Sequence, residues 1–395
     1  MKIENIKSAA MARATFFKAI RPLLISNKIL GLICFKIHEN EYKYSLLNVG
    51  INISLMIGYL TLTAHALYTR LVTSSTNLLV TTTDIMQVTA AAVQTIVSWG
   101  VSAVYQKKFI TFLSRISNVD KKFHQLGVCI YYDSIYKKIA YRLTLHYLFV
   151  AVCVSAQIFI FDYAWSLNLL GFNITYYFPT LINMGVVQQL YNYNDLIRER
   201  YEILNEHLME LKKTRDYQEA EISQIKLTKP LSTKLNILRI ICPIHHELTK
   251  IAKIVNEAFG IMLLVSFGVS FITIIVCLYD ASSHLQYFTI ENIKPLCGAI
   301  AMCSTYVVDC LFLCRSCHAT VETAHKSGRL LHQIDTDDMD VKDQIEMFSL
   351  QIVNEKLEYT AAGFFIIDYS LLFSIIGGIT TYLIILIQFS ANPNQ

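Results

Sequence analysis

Charge is what this chain has least of. Asp, Glu, Lys and Arg make up 16% of its 395 residues, against 54% hydrophobic ones, and the mean hydropathy is +0.41. A soluble domain carries about a quarter charged residues, so the composition excludes an ordinary soluble fold. Equally missing are a nucleophile elbow, a phosphate loop and a zinc-protease motif. No enzyme and no cofactor are therefore expected. The basic residues are dispersed and lie near apolar segments, which argues against nucleic-acid binding. No internal repeat, low-complexity tract or inverted half-repeat is visible, and this gives a secondary transporter little support. Nothing at the N-terminus reads as a cleaved signal: patches such as Leu23-Leu24-Ile25 are short and lack a small-residue cleavage site.

What the chain has is long apolar runs. Runs above about 18 residues read as membrane spans. Seven are expected, near Tyr44–Thr69, Asn77–Tyr105, Ile139–Ala164, Ile174–Tyr193, Ala258–Tyr279, Ile293–Arg315 and Gly363–Phe389. Lys and Arg crowd the segment before the first span and the loops after the second, fourth and sixth. The alternate loops hold little beyond Arg70 and Lys294. Cytoplasmic loops carry the cations, which predicts a cytoplasmic N-terminus and an extracellular C-terminus. That orientation argues against a G-protein-coupled receptor. It also puts the sequon Asn173-Ile174-Thr175 outside as a glycosylation site, while Asn52-Ile53-Ser54 falls inside the first span. The ten cysteines form no disulfide framework, with one candidate bridge between Cys277 and Cys297.

The expected architecture is an all-α membrane protein with cytoplasmic helical extensions forming an anchor domain. Residues 1–43 make a cytoplasmic segment, 44–193 the first four spans, 194–257 helical extensions and 258–316 the fifth and sixth spans. Residues 317–362 make a linker and anchor helix, 363–389 the last span and 390–395 an extracellular tail. Leu196–Lys213 and Leu238–Asn256 read as amphipathic continuations of the fourth and fifth spans, and His318–Ile334 of the sixth. Acidic Asp335–Asp340 reads as a mobile linker. Ile345–Leu357 has two apolar stripes, Ile345, Phe348 and Ile352 on one and Met347, Leu350, Val353 and Leu357 on the other. Two stripes need two partners: either one is a neighbouring subunit or the helix is buried within its own.

The last apolar stretch organises the rest. At 100° per residue, Ser370, Ser374, Gly377, Thr381 and Gln388 fall on one narrow seam of an otherwise Leu-, Ile-, Phe- and Tyr-rich helix. Such a seam faces a neighbouring helix or a water-filled path rather than lipid. The same run, Thr381-Tyr382, five hydrophobic residues, then Gln388-Phe389, resembles the signature of insect gustatory receptors. Ala361-Ala362-Gly363-Phe364-Phe365-Ile366-Ile367-Asp368 with Leu371-Leu372-Phe373 is similar to that family too, as are His246, Leu248, Asn256, Phe259 and Gly260 upstream. The resemblance implies a ligand-gated, non-selective cation channel of four identical subunits, or a heteromer with related receptors, in the plasma membrane. It favours the water-filled path, lined by Ser374, Thr381, Tyr382 and Ile385 and gated at Gln388 and Phe389. Permeating cations, membrane lipid and a small tastant are the partners it implies. Its alternatives are a subunit for a non-taste stimulus, such as an internal nutrient or temperature, and an obligate co-receptor.

Ligand recognition is expected among the outer halves of the spans, at Asp84, Gln87, Gln157, Tyr176, Tyr177 and Asn183. Aromatic faces beside amides and a carboxylate suit a sugar or a small cationic alkaloid. Asp84 stands out because an ionisable residue in a span needs a partner or water. The competing reading is that these groups only bridge helices. Cys310, Cys314, Cys317 and His318 are read as buried thiols at a helix end rather than a metal site. His245-His246 is read as a helix surface, Asp309 with Arg315 as a structural pair, and Asp368 as a partner for a cation or a helix terminus.

Overall fold

A computed structural model of the protein describes residues 2–38, 41–73, 78–160, 167–221, 231–286 and 290–391. Among these the chain forms ten helices: α1 Lys2–Ile29, α2 Leu46–Thr73, α3 Leu78–Val104, α4 Gln106–Gln125, α5 Tyr132–Ile160, α6 Leu167–Glu221, α7 Leu231–Gln286, α8 Ile290–Leu331, α9 Met339–Asn354 and α10 Tyr369–Ala391. A short antiparallel hairpin, β1 Lys36–His38 and β2 Glu41–Lys43, pairs Lys36 with Lys43.

Six of these helices are long and apolar enough to cross a membrane: α2, α3, α5, α7, α8 and α10. The fourth expected span lies in α6, and its amides Asn183, Gln188, Gln189 and Asn192 dilute its hydropathy. All four are buried. This segment meets protein rather than lipid on nearly every side, so it needs no continuous apolar surface. The result is an all-α, multi-pass membrane protein.

α6 and α7 are 55 and 56 residues long. At about 1.5 Å per residue each reaches about 80 Å, well over twice the hydrocarbon thickness, so each is far longer than a span requires. α5 also starts earlier than expected, at Tyr132. Its charged first turns are held by other helices: Lys138 pairs with Glu199 at 2.6 Å, and Arg142 pairs with Asp195.

Two helices had no counterpart in the expected architecture. α4 places Phe109, Phe112, Leu113, Ile116, Val119 and Phe123 at helical spacing, and all six are buried. Asp120 on its far half accepts from Arg200 Nε at 3.0 Å and Nη2 at 2.9 Å, bolting α4 to α6. α1 buries Ile20, Leu23 and Leu24. One core runs from these helices through α6, α7 and α8 to Phe348 of α9.

The segment before the last helix corrects two expectations. Asp338, expected in a mobile linker, caps α9 by accepting from the Asp340 N–H at 3.1 Å, and its own N–H donates to Thr336 Oγ1. The last span does not begin at Gly363. Residues 360–368 form a turn instead, in which Thr360 bridges Ile366 and the Ile367 N–H donates to the Tyr359 carbonyl at 2.9 Å. Ala362 and Gly363 have φ of 51° and 82°, a left-handed pair that breaks the helical pattern. The turn rests on α7, where a Cβ at Gly260 would come within 3.1 Å of the Ala362 nitrogen. Asn256 Oδ1 accepts from the Thr360 N–H at 2.9 Å.

The remaining pairings differ in part. Cys277 is buried, Cys297 is exposed, and both thiols are free. His245 is not a surface residue: it is 3% exposed, between Tyr201 and Phe348. Burial pushes its imidazole down to about 4. Its neighbour His246 reaches Glu355 at 2.5 Å. Asp368 caps its own helix, accepting from Ser370 Oγ at 2.6 Å and the Ser370 N–H at 2.8 Å. The Ser370 hydroxyl bond holds its carboxyl below the usual carboxylate range.

Candidate functional site

Asn183 is the centre of the interior site. Its Oδ1 accepts from Gln94 of α3 and from Ser266 Oγ of α7, the latter at 2.5 Å, while its Nδ2 donates to Asp309 Oδ2 of α8 at 2.6 Å. Asp309 Oδ1 faces His146 Nε2 of α5 at 3.2 Å. The other ring nitrogen, Nδ1, lies 2.5 Å from the Gln188 amide nitrogen. An amide nitrogen only donates, so Nδ1 is the acceptor of that pair. The line continues through Asn192, whose Oδ1 accepts from Arg142 Nη1 at 3.1 Å, to Asp195. Five helices thus meet on one buried polar thread.

The sequence-based site residues do not gather in one place. Asn183 is on the thread. Gln157 donates to the Gly298 carbonyl of α8 at 3.1 Å, so it bridges helices. Gln87 is buried, and its amide nitrogen has no partner among the described residues. The side chains of Asp84, Asn173 and Phe389 lie outside the described residues. Thr175 of the sequon is fully buried in α6. Tyr176 and Tyr177 meet edge to face at 5.2 Å.

Tyr176 also packs against a second, smaller cluster of Val269, Ile274, Ile275, Cys277, Met302, Tyr306 and Ile379. Around it, the buried hydroxyls of Thr180 and Thr273 have no hydrogen-bond partner of good geometry among the described residues. Unspent polar groups beside aromatic rings are what a small polar ligand engages. His146, Thr180, Ser266, Thr273, Tyr306 and Asp309 were not foreseen as site residues. Asp309 was paired with Arg315, but Arg315 is exposed and Asp309 turns to His146 instead. The rule that singled out Asp84, an ionisable side chain inside a span, applies equally to His146 and Asp309.

α10 is built the opposite way. Of its described side chains only Ile379 is buried. It touches its own subunit along Ile375, Gly378, Ile379, Tyr382 and Leu386, where Phe271 of α7 meets Tyr382 edge on at 5.8 Å. Ser374, Gly377, Thr381 and Gln388 are exposed on another side. The hydroxyls of Ser374 and Thr381 donate to the carbonyls of Ser370 and Gly377. Ile385, 39% exposed, borders that seam, whereas Tyr382 belongs to the α7 side.

The model of one protein family, 7tm Chemosensory receptor, matches residues 20–392 of this sequence. The chain belongs to that family. Among curated relatives, it is 29% identical over 180 residues to the gustatory receptor for bitter taste 66a of Drosophila melanogaster, covering 44% of this chain and 33% of that protein. It is 25% identical over 241 residues to putative gustatory receptor 2a of the same fly, covering 55% and 56%. With putative gustatory receptor 28b it shares 29% identity over 163 residues, 38% of this chain and 34% of that protein. The match thus spans about a third to a half of these relatives' length. The fold of this chemosensory receptor is similar to the insect olfactory receptor OR5 from Machilis hrabei in complex with eugenol, with TM-score 0.67, 15% identity and coverage of 95% and 99%.

Proposed function

We propose that this receptor is a gustatory, ligand-gated, non-selective cation channel of four identical subunits whose α10 helices surround the pore. The observation that carries the reading is the exposed seam Ser374, Gly377, Thr381 and Gln388, on a spanning helix that its own subunit covers on one side only. A Gln amide is costly in hydrocarbon, so the seam calls for other copies around water. α9 agrees: Phe348 is buried, while Met347, Leu350 and Val353 are 65%, 56% and 73% exposed, a free apolar stripe for a second copy. Leu357, expected in that stripe, is buried in its own subunit.

The cation excess of alternate loops supports a cytoplasmic N-terminus, with α9 beneath the membrane. A small tastant such as a sugar or bitter compound then binds from outside near Gln87, Tyr176, Thr180, Thr273 and Tyr306. Tyr176 and α10's Ile379 share one apolar cluster, which gives a direct mechanical route from ligand to pore. Opening turns or displaces α10 so that Gln388 replaces the apolar closure contributed by Phe389. Whole-cell recording from receptor-expressing cells, against a panel of sugars and alkaloids, tests this. Ligand-evoked cation currents are expected, with altered leak or selectivity in Gln388→Ala and Phe389→Ala. Saturable solute flux without channel currents would contradict it.

A further inference from the structure

A groove of ≈ 890 Å³ opens between α1 and the start of α5, lined by Lys18, Arg21, Pro22, Ile25, Tyr131 and Tyr136, with Asp133 and Thr15 at its margin. Lys18 and Arg21 are exposed, and neither makes an ion pair among the described residues. Two unpaired cations facing one carboxylate leave the groove net positive.

Its level relative to the membrane follows from α5. Phe16 meets Tyr132 at 6.1 Å and Ser26 Oγ lies 2.5 Å from the Tyr147 hydroxyl, so α1 runs alongside α5 in the same direction. α5 is charged from Asp133 to Arg142 and uncharged from there to its end, where Leu145, Leu148 and Val152 are exposed as lipid-facing residues are. The groove sits beside the charged first turn, at headgroup depth. Ile25, about 10 Å further along α1 than Lys18, is 48% exposed towards the hydrocarbon side. Cations at the headgroup level, tyrosines at the interface and an apolar wall below match the layering of one phospholipid.

We propose that this groove binds an anionic phospholipid, its phosphorylated headgroup held by Lys18 and Arg21 and its acyl chain lying along Pro22 and Ile25. Under the proposed orientation the groove faces the cytoplasmic leaflet, where anionic lipids concentrate. Such a lipid clamps α1 against α5, and α5 carries His146 of the interior thread.

Native mass spectrometry of the purified full-length receptor, given phosphatidylinositol 4,5-bisphosphate or phosphatidylcholine, tests the site independently of orientation and of channel activity. The expected result is preferential retention of one phosphoinositide per subunit, reduced about ten- to thirty-fold by Lys18→Gln with Arg21→Gln. Lys28→Gln, on the same face but outside the groove, should change it less than about two-fold. Arg21→Gln alone, at an exposed position, gives an intermediate loss and covers the case where the double variant folds poorly. Equal retention of phosphatidylcholine, or undiminished retention in the double variant, would overturn the proposal. Affinity for soluble inositol 1,4,5-trisphosphate equal to that for the lipid, so that the acyl chain along Pro22 and Ile25 adds nothing, would overturn the lipid assignment in favour of a free-phosphate site.

Discussion

The interior of α6 and the length of α10 are both membrane helices, and they treat polar residues in opposite ways. In α6 the amides are buried and tied to four other helices: Asn183 alone engages Gln94, Ser266 and Asp309. In α10 the hydroxyls fold back on their own helix and the seam is left open. A polar group hydrogen-bonded within one subunit ties that subunit's helices together. A polar group left exposed on a spanning helix describes an environment that one subunit cannot supply.

The sharpest way to break this contrast is to empty the α6 side of it. Asp309→Ala strands His146 and Asn183 in the core, with a cost on the order of 3 kcal/mol or more, as for other broken buried pairs. The thermal midpoint of the detergent-purified receptor should drop sharply and surface expression should fall. Asp309→Asn, which keeps the shape and a hydrogen bond to Asn183, should cost clearly less.

Next in size is a pH effect outside the membrane, at His245. Burial depresses its folded value to about 4, while an unfolded imidazole titrates near 6.5. Above about 6.5 both states are neutral and His245 contributes nothing. As pH falls through that value only the unfolded chain gains the proton, so stability is lost progressively down to about pH 4, by up to about 3 kcal/mol. His245→Phe, which keeps the aromatic contacts with Tyr201 and Phe348, should flatten the fall in thermal midpoint between pH 7.5 and pH 5.

Three glycines sharpen the contrast further. Gly260→Ala presses on the backbone of Ala362 and should cost about 1 to 2 kcal/mol. Gly378→Ala meets the Phe271 ring at 3.0 Å, a side chain that can yield, and should cost less. Gly377, one residue away on the seam, has nothing within 4 Å in its own subunit. Gly377→Ala should leave subunit stability unchanged or slightly raised, since Ala favours helix. Its effect should appear in currents instead.

Much of the architecture was legible because hydropathy and charge report on solvent. Apolar runs located the spans, and charged amphipathic runs marked where α6, α7 and α8 carry on as helix beyond them. What was not legible depended on neighbours. The apolar face of α1 is defined only once α5 lies beside it. Asp309 could be given a partner at Arg315 by spacing, but His146 lies on another helix, far off in sequence. The turn at residues 360–368 hid inside an apolar run, although Gly363 is the kind of residue that marks such a break. The family-like residues Gly260 and Ala362 were visible as a pattern, yet only the fold shows that they touch, with Asn256 holding Thr360 beside them.

The most direct test of the whole account is cysteine-accessibility labelling along α10 during agonist application. Ser374→Cys and Thr381→Cys should react with a charged, membrane-impermeant thiol reagent, with the current changing as they do, while Phe373→Cys and Ile376→Cys stay protected. Reaction at Phe373→Cys and Ile376→Cys with none at Ser374→Cys or Thr381→Cys would contradict the account.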